Sequence, residues 1–192
     1  KAESLLGKLG VDTGWSTAEG AFFPDTYQYS RGMSDADILL ASHRTLREVL
    51  ADDWAGRDAD LPYRTPYEAL TMASLVEKET GVAEERPVIA SVFVNRLKNG
   101  MRLQSDPTII YGIAGGKGKL DRPLTRSDIE TATPYNTYRI NGLPPGPIAN
   151  PGRAALEAVA NPSKTNDLYF VADGTGGHVF AASLDEHNEN VA

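Results

Sequence analysis

The sequence predicts an α+β fold, a helical body carrying one antiparallel β-hairpin near its C-terminus. Three observations support this. Capped amphipathic segments recur through the first hundred residues. A run of aromatic and β-branched residues broken by glycines comes only after residue 167. No strand–helix–strand alternation, which would give a parallel sheet, occurs anywhere in the chain. The 192 residues are enough for one domain with a sizeable core.

Residues 1–9, KAESLLGKL, fit a short amphipathic helix ending at Gly10, and AEGAFFPDTYQYS (18–30) reads as an irregular or strand segment around a Pro-Asp turn. SDADILLASHRTLREVLADDW (34–54) is a helix: Ser34 and Asp37 are spaced as a capping box, and Ile38, Leu39, Leu46, Val49 and Leu50 form its apolar face. A second helix has Thr65 as N-cap, Pro66 at its first position, Glu68 to complete a capping box and Gly81 to stop it. ERPVIASVFVNRLKNG (85–100) starts a third near Pro87 and ends it at Asn99–Gly100.

Met101 to Gly152 is then rich in Gly, Pro and Asn, and only SDIET, after a Thr125 cap, suggests helix within it. A stretch that long inside a compact domain points to a site rather than a spacer. NPGRAALEAVANP gives another helix with Pro151 at its start. DLYFVADGTGGHVFAAS (167–183) reads as a hairpin turning at Asp173–Gly174 and Gly176–Gly177, and SLDEHNENV as a terminal helical turn capped by Ser183 and Glu186.

A net charge of -7 and a pI near 5.0 argue against nucleic acid as a partner, because phosphates require a basic face. An anionic substrate would need local cations. The absence of cysteine excludes disulfides and thiolate metal sites, and no run approaches the ~20 apolar residues of a spanning helix. His43, His178 and His187 have no metal-ligand spacing, and there is no nucleophile elbow. GIAGGKGKL (112–120) matches neither phosphate-binding glycine fingerprint and reads as a mobile loop.

Chemistry concentrates in ALTMASLVEKETG (69–81), a helix otherwise almost wholly apolar or small that ends in two glutamates. On a helical wheel Thr71, Ser74 and Lys78 form a narrow polar stripe, with Glu77 and Glu79 at its two borders. Their i, i+2 separation puts them on different sides, so they are not a facing dyad. Periodicity does not choose between them, but neighbours do: Glu77 lies over Ala73 and Ser74, which leave room for a ligand, and Glu79 over Met72 and Leu75, which suggest packing. A half-buried Glu77 suits a general acid; the plainer alternative is that both glutamates pair with surface cations.

Two polar clusters are candidates to face it. RLQSDPTIIYG (102–112) offers Gln104, Asp106, Thr108 and Tyr111; TPYNTYRINGLPPGPIANPG (133–152) offers Tyr135, Asn136 and Tyr138 on a proline-stiffened loop. Amides, hydroxyls and tyrosine rings suit a groove for sugars, while Asn and Asp also serve simply to make turns.

EGAFFPDTY, LTMASLVEKET, ASVFVNRLKNGMRLQSDPTIIYG, ETATPYNTYRINGLPPGPIANPG and LYFVADGTGGHVFAASLDEHN together resemble the YceG-like family of bacterial endolytic murein transglycosylases. The resemblance runs from about Glu19 to Val191 and implies that residues 1–192 are one catalytic domain with a lysozyme-like helical core around the glutamate helix. The family's catalytic glutamate falls in A-S-x-V-E, here Ala73–Glu77, which makes Glu77 the expected acid/base. QSDPT and YNTY carry over as groove positions Gln104–Thr108 and Tyr135–Tyr138. The implied reaction cleaves the MurNAc-β-1,4-GlcNAc bond within nascent peptidoglycan strands and leaves 1,6-anhydro ends, without a cofactor. The resemblance also implies a membrane anchor and a LysM-like region upstream of this chain, which opens on Lys1. The catalytic part would then face the periplasm from the inner membrane, near cell-wall synthases. Two readings compete: a hydrolase using Glu77 with Asp106, and a catalytically silent glycan-binding scaffold.

Overall fold

The computed structural model describes residues 6–11, 14–15 and 17–191. Residues 6–8 form a helical turn closed at Gly10, whose φ of 67° needs a glycine; the rest of the expected N-terminal helix lies outside the described residues. Then follow α1 (Asp35–Ala55), α2 (Pro66–Glu79), a 3₁₀ turn (Ala83–Glu85), α3 (Arg86–Lys98), α4 (Asp106–Ala114), α5 (Arg126–Glu130), α6 (Arg153–Ala160), β1 (Tyr169–Ala172), β2 (His178–Ala181) and α7 (Leu184–Val191). The α+β expectation is met, with the strands confined to one antiparallel hairpin that pairs Tyr169 with Ala181 and Ala172 with His178.

The starts of the helices follow local chemistry. Ser34 and Asp37 close a reciprocal capping box at α1, as do Thr125 and Asp128 at α5. At α2 only half of the expected box forms. Thr65 accepts from the Glu68 N–H, but the Glu68 carboxylate reaches the N–H of Arg64, one residue before the cap. Pro66 and Pro87 occupy first-turn positions, where the missing N–H costs nothing.

The core is built around α2, which packs against α1, α3, α4 and α6. Every residue from Ala69 to Val76 is buried, and Leu70, Met72, Leu75 and Val76 are completely so. Ile89, Phe93, Leu156 and Val159 meet them from α3 and α6. Each such side chain contributes roughly 1.5–3 kcal/mol of burial free energy, so α2 is the least movable element on which to mount a reactive group.

The segment from Met101 to Gly152 contains one helix that the sequence reading left as loop. DPTIIYGIA forms α4, with Pro107 in its first turn and Gly115, at φ 59°, as a left-handed stop. Its Ile-Ile-Tyr run favours strands in isolation, and tertiary packing against α2 overrides that preference. The hairpin is fastened to the body by Phe170 against Phe93, ring centroids 6.0 Å apart, and by Arg96, whose Nε donates to the Leu168 carbonyl at 2.6 Å. No described helix is long and apolar enough to cross a membrane.

Candidate active site

Glu77 occupies the last turn of α2, half-buried. The backbone N–H of Gly152 donates to its Oε2 at 3.1 Å, and its Oε1 takes no hydrogen bond from any described residue. The segment that supplies Gly152 lies alongside the helix. Ile148 donates its N–H to Ser74 Oγ at 3.0 Å, and Ser74 Oγ donates in turn to the Thr71 carbonyl at 2.7 Å. The space above Ser74, expected to be left for a ligand, is therefore filled by this loop segment. Residues 20–24 cover the same stretch: Phe22 N–H donates to Asn150 Oδ1 at 3.2 Å, and Gly20 lies so close that a Cβ there would sit 2.6 Å from Pro147.

Glu79, read as a packing residue, is the more constrained of the two carboxyls. Its Oε1 accepts a 2.5 Å hydrogen bond from Ser105 Oγ. Burial pushes its pKa up to about 7, helped by the nearby Asp106 carboxylate and opposed by Ser105 and His178. Glu79 thus links the end of α2 to the start of α4. The sequence put Glu79 on the correct border of the helix but gave no sign of a partner 26 residues away.

The predicted groove residues divide into three groups. Tyr111 and Tyr135 come together, ring centroids 4.7 Å apart, and face Glu19, whose carboxyl interacts with the Tyr111 hydroxyl. Tyr67 extends this aromatic file to Trp15, 5.0 Å between rings. Burial raises the proton affinity of Glu19, while Tyr111 and the Lys78 ammonium pull the other way. Glu19 and Tyr67 escaped the sequence reading; the one signal for Glu19 was its place in EGAFFPDTY beside Gly20, which sits at φ 76°.

The second group, Asp106 and Tyr138, pairs through a 2.7 Å bond from the tyrosine hydroxyl to Oδ1, near Glu79. No described contact joins Asp106 to Glu77. Gln104 lies nearby in a left-handed conformation, φ 54°, with its Oε1 accepting from the buried Arg96 guanidinium at 3.1 Å. A non-glycine residue held there stores of the order of 1–3 kcal/mol.

The third group does not reach the surface. Thr108 and Asn136 are fully buried. Thr108 bonds the Ser105 carbonyl and Thr137, and the Asn136 amide donates to the carbonyls of Ile129 and Thr131 while its oxygen accepts from Tyr138 N–H. Their polar atoms hold the loop in shape and are not offered to a ligand. Among the described residues no group of three or more His, Asp or Glu could hold a metal ion.

The site is thus a carboxyl with one oxygen fixed and one free of described hydrogen bonds, on a rigid helix whose next residue, Lys78, shares a cleft with Tyr111. The chain as a whole is similar to proteins of known structure or name. A crystal structure of a yceG-like protein from Listeria monocytogenes superposes with a TM-score of 0.78 at 34% identity, over 98% of this chain and 62% of that one. A protein named endolytic murein transglycosylase from Bacillus subtilis (strain 168) is 52% identical over 172 residues, 89% of this chain and 46% of its own. One of the same name from Streptococcus pneumoniae serotype 2 is 38% identical over 189 residues, 91% of this chain and 32% of its own. The chain therefore spans less than half the length of these curated relatives. The profile of the YceG-like family matches residues 2–192, and the chain belongs to that family.

Proposed function

We propose that this chain is the catalytic portion of an endolytic peptidoglycan lytic transglycosylase in which Glu77 is general acid and then general base. The observation that carries the reading is the Glu77 carboxyl, immobilised through Oε2 by Gly152 and free of described hydrogen bonds at Oε1. The names of the relatives and the tyrosine file support it.

Glu77 enters protonated and transfers its proton from Oε1 to the glycosidic oxygen linking MurNAc C1 to GlcNAc. As that bond breaks, the resulting carboxylate takes the proton of the muramic acid 6-hydroxyl, and O6 closes onto C1 of the same sugar. One C–O bond breaks and one forms, the proton returns to Glu77, and no water is consumed. Because the nucleophile is intramolecular, a second carboxylate is unnecessary. Acid–base transfer of this kind contributes about 10²–10⁴-fold. Tyr111 and Tyr135 offer ring faces to the apolar faces of sugars, and Gln104, Asp106 and Tyr138 would form the far wall of the groove. Thr108 and Asn136 act by holding that wall in place.

The chain would work at the outer face of the cytoplasmic membrane, in the periplasm of a two-membrane cell. An anchor outside residues 1–192 would hold it there, with cell-wall synthases as neighbours. Crosslinking of the full-length protein in cells, followed by identification of the captured proteins, tests that placement.

The deciding experiment digests purified glycan strands with this chain and with Glu77→Gln, then reads the ends by mass spectrometry. Anhydro-muramic ends from the wild type alone are expected. Reducing ends would make it a hydrolase, and binding without cleavage by either a longer or this shorter chain would make it a scaffold.

A further inference from the structure

A cleft of about 380 Å³ is lined by Lys78, the residue next to Glu77 on α2. Its walls come from α4, through Pro107 and Ile110, and from the segment that follows, through Lys119 and Leu124. Tyr111 and Ile148 also line it, so it adjoins both the tyrosine file and the stretch that leads to Gly152.

The charge of this cleft is opposite to that of the molecule. The chain carries -7 overall, yet the cleft presents Lys78, Lys119 and Arg122 and no acidic side chain. Arg122 is engaged by two hydrogen bonds to Asp128, which fix the loop. Lys78 and Lys119 are both exposed, and neither forms an ion pair among the described residues. Lys78 keeps only a longer-range attraction to Glu19. Ammonium groups over a floor of proline, isoleucine and leucine suit a ligand with carboxylates and small aliphatic groups in alternation, and suit a bare sugar ring poorly.

We infer that this cleft receives the acidic peptide branch of the substrate, the short peptide joined to muramic acid through its lactyl ether, with Lys78 and Lys119 meeting its carboxylates and Ile110 and Leu124 its aliphatic groups. The inference rests on the proposed function, which supplies a glycan carrying such a branch. It adds a determinant of which strands are cut: those with peptides over those without.

Two measurements separate this inference from the reading beneath it. In the first, a free stem tetrapeptide is titrated into the Glu77→Gln chain and followed by NMR, which needs no cleavage. Shifts confined to Lys78, Ile110, Lys119 and Leu124 are expected, and they shrink in low-millimolar titrations of a Lys119→Glu variant. An absence of shifts at these residues overturns the inference whatever the chain cleaves. In the second, kcat/KM is compared on intact strands and on strands stripped of peptide by an amidase. Lys119→Glu is expected to lower the intact-to-stripped ratio about fivefold, the effect of one partly screened ion pair, and mainly through KM. An unchanged ratio also overturns it. Peptide binding by a chain that cleaves no strand would sink the proposed function and leave the cleft's assignment standing.

Discussion

The backbone N–H of Gly152 holds Oε2 of Glu77 at 3.1 Å across 75 residues of sequence, from the last residue before α6 to the last turn of α2. Gly152 has φ -82° and ψ 175°, within reach of proline, and its carbonyl independently starts α6 by accepting from Ala155 and Leu156. Gly152→Pro therefore removes the donor and sets its ring Cδ where the amide hydrogen points, so that Oε2 must also move away. Losing a hydrogen bond to the carboxylate that forms as Glu77 gives up its proton costs about 1.5–3 kcal/mol, so kcat is expected to fall roughly 10–100-fold with an unchanged circular dichroism spectrum. Gly152→Ala keeps the N–H and puts its Cβ 3.7 Å from Glu77 Oε2, an ordinary contact, and should retain most activity. Equal turnover by the proline variant would mean that the bond does not orient the carboxyl.

Glu79 makes stability fall as pH rises. Its folded pKa of about 7 stands above the value of 4.5 for a free glutamate, so between these the folded state binds more protons than the unfolded one. The contribution is full below about 4.5 and is lost progressively up to about 7, by an amount of the order of 3 kcal/mol. Urea unfolding from pH 4.5 to 8 should show a shallower decline in Glu79→Gln, which can still accept from Ser105, and the variant should be the more stable above pH 7. Parallel profiles for the two proteins would place the titration elsewhere.

Gly146 is confined by the tyrosine file. A Cβ there would meet the Tyr67 hydroxyl at 2.5 Å, and the rigid ring cannot step aside as a flexible chain would. Gly146→Ala should cost about 1–3 kcal/mol and lower activity through Trp15, Tyr67 and Tyr135. Because the next nearest atom, Tyr67 Cζ, is at 3.5 Å, the added Tyr67→Phe substitution should restore most of that loss. A thermal double-mutant cycle checks this; simple additivity would show the clash to be relieved some other way.

Arg96 is buried, and its guanidinium donates to the carbonyls of Arg102, Leu103 and Leu168 and to Gln104 Oε1. Arg96→Met fills similar space but leaves three carbonyls without that donor. A loss of about 2–4 kcal/mol is expected, seen as a drop in Tm of roughly 5–10 °C. A much smaller drop would mean that water replaces the guanidinium.

How much of this was legible in the sequence depends on how locally each feature is determined. The boxes Ser34–Asp37 and Thr125–Asp128 lie within one helical turn and fold as written. So does the helix end that carries Glu77, because its apolar faces and its Pro66 start are local. DPTIIYGIA reads as loop because its residues favour strands, and contact with α2 and α5 makes it helical. Thr108 and Asn136 look like any other groove residues, since a sequence cannot show whether an amide faces a ligand or a backbone carbonyl. Glu19, Glu79 and Tyr67 gain their meaning from Tyr111, Ser105 and Gly146, partners 26 or more positions away in the chain.

The bond from Phe22 N–H to Asn150 Oδ1 joins positions 128 residues apart and closes the segment carrying Gly152 over α2. Contacts of such separation form late, because the entropy of closing the loop must be overcome before they return anything. The helices can collapse on one another well before that, so a half-folded chain would have Glu77 in place and nothing to aim it. The Glu77 carboxyl is accordingly without its Gly152 anchor until synthesis has passed residue 152 and that stretch has packed against residues 20–24.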